Sequence, residues 1–461
     1  MRRRAVALID GEHYPPVVVE GLRRASDRFV FVAALFLGGT EKIKSGDLSS
    51  AAEALYGIPV IFDRDWARGL EEVITAYGPE VIVDLSDEPV VGYEERFRLI
   101  SHSLARSVGY VGSDFHFNPP SSPRLCSSPS VSVVGTAKRV GKTAISGYMA
   151  RTLQATVKGE TGPPGVVVVA MGRGGPEQPE IIDGAQVCLT AADLLRWSRE
   201  GRHAASDHFE DALLSRVITI GCRRCGGGMA GEPFVSNVAE GALLANSLHP
   251  GLVIFEGSGA SIPPVGTDAQ LLVAGGHQSV DYVAGYLGTY RLLTSTALVI
   301  TMAEEPLATR QKVEEIIQAA RLIKPHIDVV PVVFRPHPVE PVKDRRVALF
   351  STAPVTQQGV LRRHLEERYE CRVELVSSNL SDRGALKADL QRPEMAGVDT
   401  VLTEIKAAAI DVVAEIADER GLELVFVDNL PEEVAPARAG DLAAVAALLG
   451  RTARERFAEQ N

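Results

Sequence analysis

The chain is short of cysteine, of aromatic residues and of uninterrupted apolar sequence. Its five cysteines (Cys126, Cys188, Cys222, Cys225 and Cys371) among 461 residues are too few, and odd in number, for a disulfide framework. A reducing compartment follows. No apolar run reaches the roughly 18 residues that a membrane span needs, and the opening MRRRAVALIDGEHY turns polar too early for a signal peptide. A cytoplasmic protein without membrane contact is expected. Basic residues are outnumbered 48 to 59, giving a net charge of −11, so the surface as a whole repels a polyanion and nucleic acid is excluded as the default partner. Extended disorder is excluded as well, because 45 % hydrophobic and 23 % charged residues match the balance of folded proteins.

What is present reads as α/β throughout. Short apolar runs such as Ala5–Ile9, Phe29–Phe36 and Val81–Asp84 alternate with helix-like stretches, which predicts a parallel sheet covered by helices. A Pro- and Ser-rich linker, NPPSSPRLCSSPS, interrupts the series, and a second one starts at Val131–Gly135 and runs to Val329–Phe334, where FRPHPVEPVKD ends it. A third series follows. At roughly 150 residues per domain, the expected division is an N-terminal α/β domain over 1–125, a phosphate-loop core with a parallel sheet over 126–340, and a C-terminal α/β domain over 341–461 that ends in a terminal helix with a frayed end. Both flanking domains are expected to be Rossmann-like.

The most specific motif is VSVVGTAKRVGKT, Val131–Thr143, which precedes the helix-like AISGYMARTL. A buried strand, a loop ending Gly-Lys-Thr and a helix are the context of a phosphate loop. The backbone of Gly135, Thr136, Ala137, Lys138, Arg139, Val140, Gly141, Lys142, Thr143 and Ala144 would cradle a nucleotide's phosphates, with Lys142 reaching them and the Thr143 hydroxyl ligating Mg²⁺. Five residues separate Gly135 from Gly141, one more than in the common form. In LVIFEGSGAS a second buried strand delivers Glu256 at its carboxyl end, where ligands gather in open α/β sheets, so Glu256 is the expected acidic metal ligand. Asp183 is the expected second one, with Glu177 and Asp193 as competitors that spacing does not rank.

Other clusters admit two readings. Cys222 and Cys225 form a Cys-x-x-Cys without the second pair a zinc site needs. Arg223 and Arg224, followed by three glycines, suit bidentate phosphate binding or a solvated turn. His13 lies near the end of the first strand without a nucleophile elbow, and Lys406 suits an anion pocket or a helix surface.

The loop GTAKRVGKT resembles that of dethiobiotin synthetase and its relatives. Partitioning ATPases of the same superfamily carry a signature lysine where this chain has Ala137. That departure counts against a regulatory ATPase with partner-binding domains. By the resemblance, Gly257, Ser258 and Gly259 approach a phosphate, Arg173 with Gly174 stands at the substrate-side lysine, and Phe334 and Arg335 fall at the place of the adenine motif. Across residues 1 to about 430 the layout DGEHYPPVV, GTAKRVGKT, AMGRGGP, FEGSGASIPPV and TEIKAAAID resembles the cyclic 2,3-diphosphoglycerate synthetase family. The resemblance implies a homodimeric ligase that uses ATP and Mg²⁺ to close 2,3-bisphosphoglycerate through an internal phosphoanhydride, releasing ADP and phosphate, its product a thermoprotective solute. Lys138, Arg139 and Lys142 would then stabilise the transferring phosphoryl group, and Arg173, Arg223 and Arg224 the substrate. The alternative within the superfamily is another ligase or amidotransferase. Against a glutaminase, Cys371 sits in a strand-like run.

Overall fold

The computed structural model describes residues 2–39, 41–42, 48–157, 164–186, 196, 207–404, 410–434 and 441–460. They gather into two compact units. The first comprises Met1–Ser121 with Ser279–Thr294 and Gln318–His326. Its strands are β1 (Arg3–Ile9), β2 (Phe29–Phe36), β3 (Val60–Phe62), β4 (Val81–Asp84), β5 (Gly109–Val111) and β6 (His116–Phe117), in the order β3-β2-β1-β4-β5-β6. All pairings are parallel except β5 with β6. Helix ends follow local chemistry: Asp65 caps Trp66–Tyr77 by accepting the Arg68 N–H at 3.3 Å, and Gly78 ends it at φ +54°. Asp10 and Asp84 are buried at the carboxyl ends of the two strands flanking the switch in strand order.

The second unit carries β7 (Ser130–Gly135), β8 (Val166–Gly172), β9 (Glu180–Asp183), β10 (Ile218–Cys225), β11 (Val235–Ser236), β12 (Leu252–Glu256), β13 (Ala269–Gly275), β14 (Ala297–Thr301), β15 (Asp328–Pro338), β16 (Arg346–Phe350), β17 (Arg372–Ser377), β18 (Thr400–Thr403) and β19 (Glu423–Glu433). Among the described residues they form one sheet in the order β11-β10-β8-β12-β7-β13-β14-β15-β19-β18-β16-β17, with β9 on β10. Its central strands are buried along almost their whole length, as near-continuous apolar runs require. Segments 126–340 and 341–461 thus share one sheet. The joint is β15, which pairs parallel with β14 through Asp328–Pro331 and antiparallel with β19 through Val332–Pro338. Two parallel half-sheets therefore meet with their carboxyl ends directed toward each other.

The expected terminal helix is Leu442–Gln460, and its inner face is part of the core. Leu442, Val445, Ala446, Leu449 and Ala453 recur at helical spacing and are buried in one core with Val131, Val133, Ile145, Met149, Leu153 and Leu271. At Gly450 a Cβ would stand 2.8 Å from Leu153 Cδ2, so the helix lies close against Lys142–Val157.

Candidate active site

The loop Thr136–Gly141 joins β7 to the helix Lys142–Val157 at the carboxyl rim of the core sheet. Its turn uses left-handed backbone at Arg139 (φ +63°) and Gly141 (φ +79°). Gly141 is doubly constrained, because a Cβ there would also lie 2.3 Å from the Phe334 ring. The Lys142 side chain passes over Gly135, where a Cβ would stand 2.8 Å from Nζ, and its ammonium donates to the Ala137 carbonyl at 2.9 Å. Thr136 donates to Gln278 Oε1 at 2.6 Å. Lys138 and Arg139 are exposed on the loop's crest and take part in no ion pair among the described residues.

β12 lies between β7 and β8 and ends at Glu256, which is 2 % exposed. Its Oε1 accepts the Thr143 hydroxyl at 2.6 Å, while its buried Oε2 has no hydrogen-bond partner. A hydroxyl and a carboxylate in contact, with one carboxylate oxygen left over, are the oxygen donors a small hard dication takes beside water and phosphate. The residues present fit Mg²⁺.

A second cluster forms around the loop after β12. Arg173 follows β8, Arg224 lies on β10, and Gly259 (φ +62°) sits between them. A Cβ on Gly259 would stand 2.8 Å from Arg173 Nη2 and 3.2 Å from Arg224 Nη2, so two guanidinium groups converge on one backbone position. Arg224 is aimed there by donating to the Ser258 carbonyl at 2.7 Å and the Gly226 carbonyl at 2.5 Å. Arg173 is exposed, forms no ion pair among the described residues, and precedes the exposed Gly174. Gly257, Ser258 and Gly259 thus present backbone beside two forked cations, an arrangement suited to a phosphate.

Two expected site residues, Asp183 and Arg223, fall elsewhere. Asp183 pairs with Ile218 at the amino end of β10, the level of Val253 on β12, which puts it roughly 10 Å along the strands and about 14 Å across the sheet from Glu256. It is no ligand of that site. Its own carboxylate accepts the Ala185 N–H at 3.0 Å. Arg223 precedes Arg224 on one strand, so the two side chains leave opposite faces, and Arg223 lies 3.8 Å from Glu177 instead. Phe334, half-buried, packs its ring on Gly141 and the core, and Arg335, also half-buried, is held by Glu304 through two bonds of 2.7 Å. Strand alternation also separates Cys222 from Cys225: burial pushes the Cys222 thiol up to about 12, whereas Cys225 is exposed. His13 Nδ1 lies 2.9 Å from the buried Asp10 in the first unit. Asp193, Cys188 and Lys406 lie outside the described residues.

Sequence reasoning missed Thr301 and Gln278. Thr301 ends β14 fully buried, and its hydroxyl donates to the Val140 carbonyl at 2.9 Å and lies 3.2 Å from that of Ala274. The available signal was the first polar residue after an apolar strand, the same signal that marks Thr136 and Glu256.

Strand, Gly-Lys-Thr loop, helix, and an acid on the neighbouring strand define a phosphate-loop nucleotide-binding fold. Family models of cyclic 2,3-diphosphoglycerate synthetase match in three successive segments: the N-terminal domain over residues 4–118, the P-loop domain over 130–333 and the C-terminal domain over 338–430. Relatives carrying that name include one from Rubrobacter xylanophilus, 51 % identical over 97 % of this chain and 98 % of its own. Those from Thermococcus gammatolerans and Methanothermus fervidus are 46 % and 42 % identical, each over 93 % of this chain and over 94 % and 93 % of their own. The chain belongs to the cyclic 2,3-diphosphoglycerate synthetase family, a family of enzymes. Among solved structures, hydrogenase maturation factor HypB from Archaeoglobus fulgidus is 14 % identical and covers 45 % of this chain and 81 % of its own at a TM-score of 0.29, too slight a likeness to carry an argument. No helix of the described residues is long and apolar enough to cross a membrane.

Proposed function

We propose that this chain uses ATP and Mg²⁺ to cyclise 2,3-bisphosphoglycerate into cyclic 2,3-diphosphoglycerate, releasing ADP and phosphate. The reading rests on one juxtaposition: the Lys142 loop and Thr143–Glu256 pair lie on the same sheet rim as the convergent Arg173 and Arg224. Closing the ring brings several negative charges together, so catalysis is positioning plus charge neutralisation. The loop backbone and Lys142 hold the triphosphate of ATP, with Lys138 and Arg139 over the transferring group. An oxygen of one substrate phosphate takes the γ-phosphoryl group as the bond to ADP breaks. An oxygen of the other substrate phosphate then attacks that first phosphorus and displaces inorganic phosphate, leaving the internal anhydride. Arg173 and Arg224 hold the substrate phosphates apart from water and in line. Thr143 and Glu256 would hold Mg²⁺, which when bound neutralises charge on the β- and γ-phosphates. The same proposal includes a homodimer acting in the cytoplasm.

Phosphorus NMR of protein, ATP, Mg²⁺ and 2,3-bisphosphoglycerate tests the reading. ADP, inorganic phosphate and a cyclic product should grow together. ATP hydrolysis indifferent to the bisphosphate refutes it. Lys142→Ala should abolish turnover and retain the wild-type circular dichroism spectrum.

A further inference from the structure

The tip of the phosphate loop is held from outside by two side chains that belong to no phosphate-loop motif. Thr301, at the end of β14, donates its hydroxyl to the Val140 carbonyl at 2.9 Å from a fully buried position. Phe334, on β15, fills the space that a Cβ of Gly141 would need. A trans peptide is planar, and its C=O and N–H point in opposite directions. Fixing the Val140 carbonyl on Thr301 therefore turns the Gly141 N–H of the same peptide the other way, away from Thr301. A phosphate loop receives its anion on backbone N–H groups that stay unbonded to the protein and lead into a helix N-terminus, as Gly141 does. Gly141 is also the residue with the widest conformational freedom in the tip, at φ +79°, so its peptide is the one most in need of an external restraint.

We propose that Thr301 is a positioning residue for nucleotide binding: its hydroxyl sets the Val140–Gly141 peptide so that the Gly141 N–H faces the phosphates, and the Phe334 ring keeps that peptide from turning over. The proposal rests on the loop binding ATP, as argued above. Thr301 touches neither substrate; it acts through the loop, lowering the ordering cost that nucleotide binding would otherwise meet.

The test uses the full chain with Thr301→Val, which keeps shape and removes the hydroxyl, Thr301→Ser, which keeps the hydroxyl, and Lys142→Ala. ATP affinity is measured by titration calorimetry without the second substrate, and KM for ATP and for 2,3-bisphosphoglycerate by steady-state kinetics. An unpaired buried carbonyl and a mis-set peptide predict that Thr301→Val weakens ATP binding about ten- to a hundredfold, with the KM for the bisphosphate unchanged. Thr301→Ser restores ATP affinity to within a few-fold of the parent, by the same reasoning. Wild-type ATP affinity in Thr301→Val overturns the proposal, as does a loss that Thr301→Ser does not recover or an equal rise in both KM values. Lys142→Ala separates the two levels: unchanged ATP affinity there refutes the loop reading itself, whereas its loss beside an unaffected Thr301→Val refutes only the role of Thr301.

Discussion

At the scale of single residues, neighbours in sequence have different fates. Arg223 and Arg224 are adjacent, yet only Arg224 converges with Arg173 on Gly259. Arg224→Ala and Arg173→Ala should each raise the KM for 2,3-bisphosphoglycerate about tenfold or more, as the loss of a charged hydrogen bond implies. Arg223→Ala should leave it within about twofold, since its one ion pair among the described residues is exposed. Steady-state kinetics at saturating ATP checks all three, and equal effects of Arg223 and Arg224 would remove the assignment. The sequence made Lys142, Thr143 and Glu256 legible because each is fixed by a short motif at a strand end. It did not separate Arg223 from Arg224, because that depends on β10 continuing as a strand through Cys225. Nor did it exclude Asp183, whose distance from Glu256 is set by the pairing of β9 with β10 and not by spacing along the chain.

At the scale of elements, the closing helix and the long strand β15 depart most from expectation. Proline at 336 and 338 reads as the end of a strand, yet β15 runs through both. The Val339 N–H donates to the Phe426 carbonyl at 3.0 Å, so alternate N–H groups of β15 face β19 and the two prolines fall on the other side. No strand of the described residues pairs on that side beyond Pro331, where the ladder with β14 ends, and the last backbone bond there is from the Ala303 N–H to the Val332 carbonyl at 3.1 Å. The prolines therefore remove no ladder bond, and they block a further strand from adding there. The helix Leu442–Gln460 was legible as a helix from its alanine- and charge-rich sequence, but not as core, because small alanines bury as readily as they face solvent. Leu449 has no exposed surface. Leu449→Ala should lower the unfolding free energy by about 2–5 kcal/mol, as for other buried leucines; chemical denaturation measures it, and a change below about 0.5 kcal/mol, the usual range for surface substitutions, would contradict burial in the nucleotide core.

At the scale of the whole molecule, the net charge of −11 conceals a basic rim built from Lys138, Arg139, Lys142, Arg173 and Arg224. The N-terminal part of the first unit was legible, but its two additions, Ser279–Thr294 and Gln318–His326, were not, because they lie within the core's own sequence. Protons couple to folding in both units. Burial holds His102, His277 and His364 below the ordinary imidazole value of 6.5. As pH falls through 6.5 the unfolded chain takes up protons that these folded histidines still refuse, so stability is full above that value and declines below it. Thermal midpoints should be level from pH 8 to 7 and fall between pH 6.5 and 5.5; a flat profile would contradict the shifts. One consequence of the closing helix concerns synthesis. The strands it covers, β7 and β13 among them, leave the ribosome well before it, and about 140 residues must still be made between Thr301 and the helix, about 7–28 s at the usual pace of translation. The nucleotide core thus completes itself from the last part of the described chain to be translated, and until that helix arrives the apolar face it covers has no partner within the core.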